Sequence, residues 1–417
     1  MCPTSTGTAC RSRREEAAGN ATRVTGALGS ATTYTYDALN QVTSITRPVS
    51  DSESITTSYG YDRAGNITRA TDGNGNTTVF TVNAWNAAES TIEPATEQTP
   101  EAADRTYTAV YDAAGRLAEL RKPGGVTIAH SYDPQGNLVK QVGSGASVVT
   151  PDRVFTYDPA GRMVSASAPN GENTFTYDDR GNLVTASGPS GESSFTYDAD
   201  GLPTSVTTSA GTSSFSYDAA GRLATALDAA TGATLGYDYD AAGRVTGVGY
   251  GVGAATRTYG YDELGRIASD TVMGPDGVET ASITYEWDDE DHLVAKHTEG
   301  LAGAAENVYG YDRAGRLVSW DNGDAVHTYE WDAAGNLTRD GAVSAVFDER
   351  NRLLSKAGLS LVTSTTSGNL RCSCSRRTSR SFCDFCLLKY CDRCPPAGRS
   401  VTAPDAHLGD RMETVCG

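Results

Sequence analysis

The chain has 417 residues, with 34 basic and 52 acidic side chains and a formal net charge of −18. Hydrophobic residues make up 38% and glycine 45 positions, a mix that rules out one thick-cored globule of this length and suits many short strands and turns. The acidic surface excludes nucleic acid as a partner, and no apolar run approaches the ~18 residues of a membrane helix.

Residues 1–30 show no repeat pattern and read as an irregular lead-in: Arg11, Arg13 and Arg14 precede Glu15 and Glu16. No charged-then-apolar leader is visible, so no signal peptide is expected. From residue 31 to 362 the chain repeats one unit. In Phe175-Thr-Tyr-Asp-Asp-Arg-Gly-Asn-Leu183, Phe175 and Tyr177 alternate with Thr176, which places both rings on one face of a strand. Asp178 opens a type I turn, Gly181 closes it with φ > 0, and Leu183 begins the returning strand. The same pieces recur as Phe195, Tyr197 and as Phe215, Tyr217, Asp218 and Gly221, and again at Asp312 and Gly315. Fifteen copies run from Asp37 to Asp348 at steps of 16 to 29 residues, a period that marks an array of β-hairpins.

The variation between copies carries information. The glycine slot holds Gly in eleven copies and Asn40, Asn86, Asp291 and Asn351 in the others, the residue types that best tolerate a left-handed backbone. The slot before the Asp is aromatic in fourteen copies and the slot two residues earlier in twelve, together 26 of the chain's 33 aromatic residues. The two slots predict an aromatic ladder along a sheet, worth roughly 0.2–1 kcal/mol per cross-strand pair. An exposed sugar-stacking stripe is the alternative, and it makes an adhesion or carbohydrate-binding array the second functional reading. Pro203 falls on a return strand, where it fits only at an edge or at the first position.

The row of turn aspartates is explained by turn capping, with calcium bridging as the alternative. His130 and His292 occupy repeat slots, and His297 and His327 fall on or near strands, so each reads as structural. No Gly-x-Ser-x-Gly elbow has a plausible His and acid, and there is no phosphate loop. The expectation is a protein that is not an enzyme and has no cofactor.

Residues 363–417 change character: seven of the nine Cys lie here, and the array has none. Cys383, Cys386, Cys391 and Cys394 form two CxxC pairs that could hold zinc, although the four-residue spacer is short for paired knuckles. A zinc-binding module on a repeat scaffold is therefore a third reading, and a disulfide cluster its rival in an exported protein. Codons for residues 363–367 also permit, in another frame, Val-Tyr-Asp-Glu-Arg, the start of a further repeat. The tail is expected to be disordered or the product of a slipped frame.

The cores Tyr157-Asp-Pro-Ala-Gly-Arg-Met163 and Tyr311-Asp-Arg-Ala-Gly-Arg-Leu317 resemble the YD repeat of RHS and teneurin-like proteins, over about four fifths of the chain. The resemblance implies an all-β fold in which tandem hairpins form a curling sheet or partial β-shell. It also implies a non-enzymatic scaffold of a polymorphic toxin or surface protein, secreted or at the cell surface. The implied partners are a toxin cargo or other RHS segments, with cell-surface glycans for the adhesion reading. The Asp-Pro-rich core that follows the repeats in bacterial relatives is missing after Leu354, so the chain reads as truncated before the core and toxin. Fifteen hairpins are expected to leave strand edges open to pairing.

Overall fold

The structure, a computed structural model, describes residues 12–363 and 370–373 apart from residues 302, 304 and 358. Among the described residues it is all-β, with 34 strands in one sheet and two short 3-10 turns, Ala102–Arg105 and Pro123–Gly125. Each strand pairs antiparallel with the next in sequence, from Ser12–Glu15 with Ala21–Thr25 to Leu359–Thr363 with Leu370–Ser373. The expected meander of hairpins is the observed topology.

The array begins earlier than the sequence indicates. The strands Ser12–Glu15 and Ala21–Thr25 form a hairpin, so the lead-in is not irregular over these residues. Its turn is built on Glu16 with the backbone bonds of every other copy: the slot N–H donates to the carbonyl four residues on (Glu16 to Asn20, 3.0 Å), and the glycine-slot N–H donates back (Gly19 to Glu16, 2.9 Å). Glutamate in the Asp slot and no aromatic residue before it hid this copy. At the other end, Leu370–Ser373 continues the sheet past residue 362.

The sheet is a single layer. Among the described residues Ala295 is the one buried hydrophobic residue, and no side chain is fully buried. Successive aromatic strands are two strands apart, roughly 10 Å, which is beyond ring–ring reach. In the central copies a small or short aliphatic residue faces the ring on the strand between: Ala166 opposite Phe155, Ala186 opposite Phe175, Val206 opposite Phe195 and Ala226 opposite Phe215. Pro203 is the first residue of its strand, where its missing N–H breaks no ladder bond.

The ribbon curls until its second winding meets its first. Turns near residues 290, 313, 332 and 350 touch connections near residues 28, 51, 74 and 93, and the bonds join residues 257 to 279 apart in sequence. The two edges that meet are opposite edges of the ribbon: repeat turns on one side, the connections between hairpins on the other.

Candidate functional site: the turn ladder and the winding seam

Asp178 shows how each turn is capped. Its Oδ1 accepts from the N–H of Arg180 (2.9 Å) and of Asn182 (2.8 Å), and its Oδ2 accepts from Asn182 Nδ2 (2.9 Å). Gly181 has φ 91° and closes the turn. The Asn182 side chain first, then these backbone donors, hold the Asp178 carboxyl below its ordinary range against partial desolvation. Asp218 and Asp312 sit in the same cage, with Arg222 and Arg316 donating Nε to Oδ2 at 2.7 Å, and Gly221 and Gly315 have φ of 76° and 78°.

Where the slot four residues after the Asp holds arginine, that side chain can reach forward to the next turn. Arg162 donates Nε to Asp158 Oδ2 (2.7 Å) and Nη1 to the carbonyl of Asp178 in the next turn (3.0 Å), and its guanidinium lies 4.8 Å from the centre of the Tyr177 ring. Arg116, Arg222, Arg244 and Arg266 cover Tyr132, Tyr239, Tyr261 and Trp287 in the same way. Such cation–π contacts contribute about 0.5–1 kcal/mol at exposed sites. In place of the expected ring-on-ring ladder, five of these rings lie under an arginine, and among the described residues ring stacking is confined to His292 with Tyr311 and Trp320 with His327. Under an arginine, a ring has one face already occupied.

The aromatic residue before the Asp has a second role. Tyr177 Oη donates to the Met163 carbonyl of the preceding hairpin (2.8 Å), Tyr197 to Leu183 and Tyr217 to Pro203. Thirteen such bonds are present, eleven from tyrosine and two from tryptophan Nε1, each to the residue five positions after the preceding turn's opening residue. Burial first, then the Asp133 carboxylate, pushes the Tyr157 phenol up, so it stays a donor at neutral pH. The earlier slot, with Phe175, Phe195 and Phe215, is half-buried and makes no such bond. The sequence signal for the difference is composition: the donor slot holds one Phe, Phe347, and the earlier slot five.

All four non-glycine residues with positive φ among the described residues occupy the glycine slot. Each accepts a hydrogen bond from the preceding repeat: Asn40 from Asn20, Asn86 from Asn66, Asp291 from Arg266 and Asn351 from Asn336, at 2.7–3.1 Å. A strained backbone is exchanged for a tie between neighbours.

At the seam, Arg313 Nη2 pairs with Asp51 (2.6 Å) and its backbone N–H donates to the Val49 carbonyl (3.2 Å). Asn74 donates to Asp332 Oδ2 (3.0 Å) and accepts from the Ala333 N–H (3.1 Å). Glu93 receives Arg352 Nη2 (2.6 Å) and Arg350 Nη1 (3.3 Å) and borders a cavity of about 300 Å³ with Tyr59, Asp72 and Asn351. Burial alone would lower the Arg352 pKa, but Glu93 and Tyr107 hold it above its ordinary value. A Cβ on Gly26 would strike the Glu290 carboxylate. One on Gly73 would strike the Ala333 carbonyl and come within 2.6 Å of Ile55 Cγ2. Gly73 is therefore required by the close approach of the windings, whereas the flexible end of Glu290 can move away from Gly26.

Several other polar groups have structural partners. Asp270 is buried and paired through both oxygens with Arg257, which it holds above the ordinary arginine range. His292 replaces the ladder arginine, with Nδ1 2.9 Å from Asp288 Oδ2, and His130 Nε2 lies 3.2 Å from Gln141 Nε2. Among the described residues no group of three or more His, Cys, Asp or Glu could hold a metal, and no helix is long and apolar enough to cross a membrane. Cys383, Cys386, Cys391 and Cys394 lie outside the described residues.

Comparison with known proteins matches the teneurin YD-shell profile over residues 75–234 and 204–339, and the RHS repeat profile over residues 16–52 and 49–77. Among solved structures the sheet is similar to the crystal structure of TcdB2-TccC3-Cdc42, with TM-score 0.69 and 14% identity over 88% of this chain and 25% of that one. The Photorhabdus luminescens Tc holotoxin pore matches with TM-score 0.64 and 14% identity, over 87% of this chain and 22% of that one. The chain spans about a quarter of the length of these two structures. No curated protein sequence matches it.

Proposed function

The chain belongs to the teneurin YD-shell and RHS-repeat family, a family of structural repeat shells and not of enzymes, and on that premise we propose that it is a wall segment that encloses a polypeptide toxin outside the producing cell. The observation that carries this is the seam. A sheet with no core of its own encloses nothing while it stays open, whereas a ribbon whose second winding is bonded to its first makes a continuous wall. The ladder supplies stiffness along the ribbon and the seam supplies closure across it. The likeness to Tc toxin structures supports the same reading at the level of fold.

The test uses a protease-sensitive reporter segment fused after Gly417, in the intact chain and in the variant Arg350→Glu/Arg352→Glu, which opposes Glu93. Cleavage in the intact chain is expected to be at least about tenfold slower than in the variant, since an enclosed segment is cut only through opening. Equal rates in both would sink the enclosure reading.

A further inference from the structure

Among the described residues, the winding seam covers only part of the ribbon's connection edge. Connections from Leu28 to Glu93 are met by turns from Asp288 to Arg352. Beyond Glu93 the same edge continues through the connections at residues 145–152, 250–255 and 274–278. There Val148, Val149, Val252 and Val278 are exposed, Val149 to 86%. On the opposite edge, the tips of the first-winding turns present Leu39, Trp85 and Leu264, each more than half exposed. Apolar residues scattered singly over a surface need no explanation, but here they gather on the two edges that, elsewhere in this chain, meet each other.

One pair of turns shows the point most directly. Tyr61-Asp-Arg-Ala-Gly65 and Tyr311-Asp-Arg-Ala-Gly315 are identical in sequence. Arg313 is seated across the seam on Asp51 and the Val49 carbonyl. Arg63 holds the same position on the free turn edge and is exposed. The free connection edge offers an exposed carboxylate of the matching kind in Asp276, on the connection that also carries Val278.

We propose that the free connection edge beyond Glu93 docks the free turn edge of a second copy of this chain, so that the ribbon runs on from one molecule to the next. The occupant follows from the seam itself, where a turn edge of this chain already seats on a connection edge of this chain. Because the two edges differ, the contact is head-to-tail and does not limit itself to two copies. The inference rests on the winding geometry and not on any cargo, so it and the enclosure reading fail separately.

The experiment is sedimentation velocity of the full chain under reducing conditions, across a concentration series. One variant carries Leu39→Glu and Arg63→Glu on the turn edge, and the other carries Val148→Glu and Val149→Glu on the connection edge; circular dichroism checks that both keep the strand signal. The unmodified chain is expected to grow beyond a dimer with concentration, and each variant alone to associate at least about tenfold more weakly. An equimolar mixture of the two variants is expected to dimerise and stop there, since each supplies one intact edge. A chain that stays monomeric throughout, association that neither variant weakens, or a mixture that does not dimerise would each overturn the proposal.

Discussion

Asn86 holds a backbone conformation that costs an ordinary L-residue about 1–2 kcal/mol, and it is tied by its side chain to Asn66 of the preceding repeat. The two effects separate by substitution. Asn86→Gly relieves the backbone and loses the tie, so it is expected to be near neutral; Asn86→Ala loses both and is expected to cost about 1–2 kcal/mol locally. Amide exchange in Thr77–Val82 and Ala88–Ile92 reads the difference, and equal protection in the two variants would mean that the slot is not conformational. The turn aspartates make a second prediction. Asp62, Asp112, Asp133, Asp158, Asp178, Asp218, Asp240, Asp262, Asp288 and Asp332 all have carboxyls held below the ordinary value. A carboxyl lowered on folding stabilises the fold fully above its unfolded pKa, and that share is lost as pH falls through the folded value. The urea midpoint is therefore expected to change little from pH 7 to 5 and to fall between about pH 4 and 2. A midpoint flat down to pH 2 would remove the turn cages from the account of stability.

At the scale of the hairpin, the tyrosine hydroxyls decide how firmly one unit holds the next. Tyr177→Phe keeps the ring under Arg162 and deletes only the bond to the Met163 carbonyl. It is expected to cost about 1 kcal/mol, a typical net hydrogen bond, and to raise exchange in Met163–Ala168 and Gly171–Tyr177 while distant hairpins keep their protection. Unchanged exchange there would make the clamp incidental. The hairpins themselves were legible in the sequence, because an aromatic strand, an Asp-opened turn and a slot for φ > 0 are each local choices that leave a residue type behind. The clamp was not: Tyr and Phe suit a half-buried strand equally, and only the near-absence of Phe from one slot betrays a donor. The Glu16 turn was missed for a related reason, since its backbone keeps the turn while its side chains abandon the pattern.

For the whole molecule, the seam could not be read from sequence, because its residues are ordinary and its partners lie 257 to 279 positions apart with no period to mark them. Gly73→Ala is expected to part the windings there, since the obstacle is the backbone carbonyl of Ala333 and cannot swing aside. Exchange should rise at Thr77–Val82 and Val326–Trp331 and stay unchanged at Gly191–Tyr197; a uniform rise would indicate global loss of stability instead. The seam pairs Arg313 with Asp51 and Arg352 with Glu93 are partly exposed, so salt near 1 M, where the Debye length is about 3 Å, should loosen the same segments. The sheet's connectivity has a consequence in time. Every strand pairs with its neighbour in sequence, so the ribbon can be laid down in the order of synthesis, and distant residues must find each other only when the first winding shuts. At the usual ~5–20 residues per second, the interval between the emergence of Leu28 and of Glu290 is roughly 13–52 seconds. During that interval the first winding exists but its two edges have not yet met.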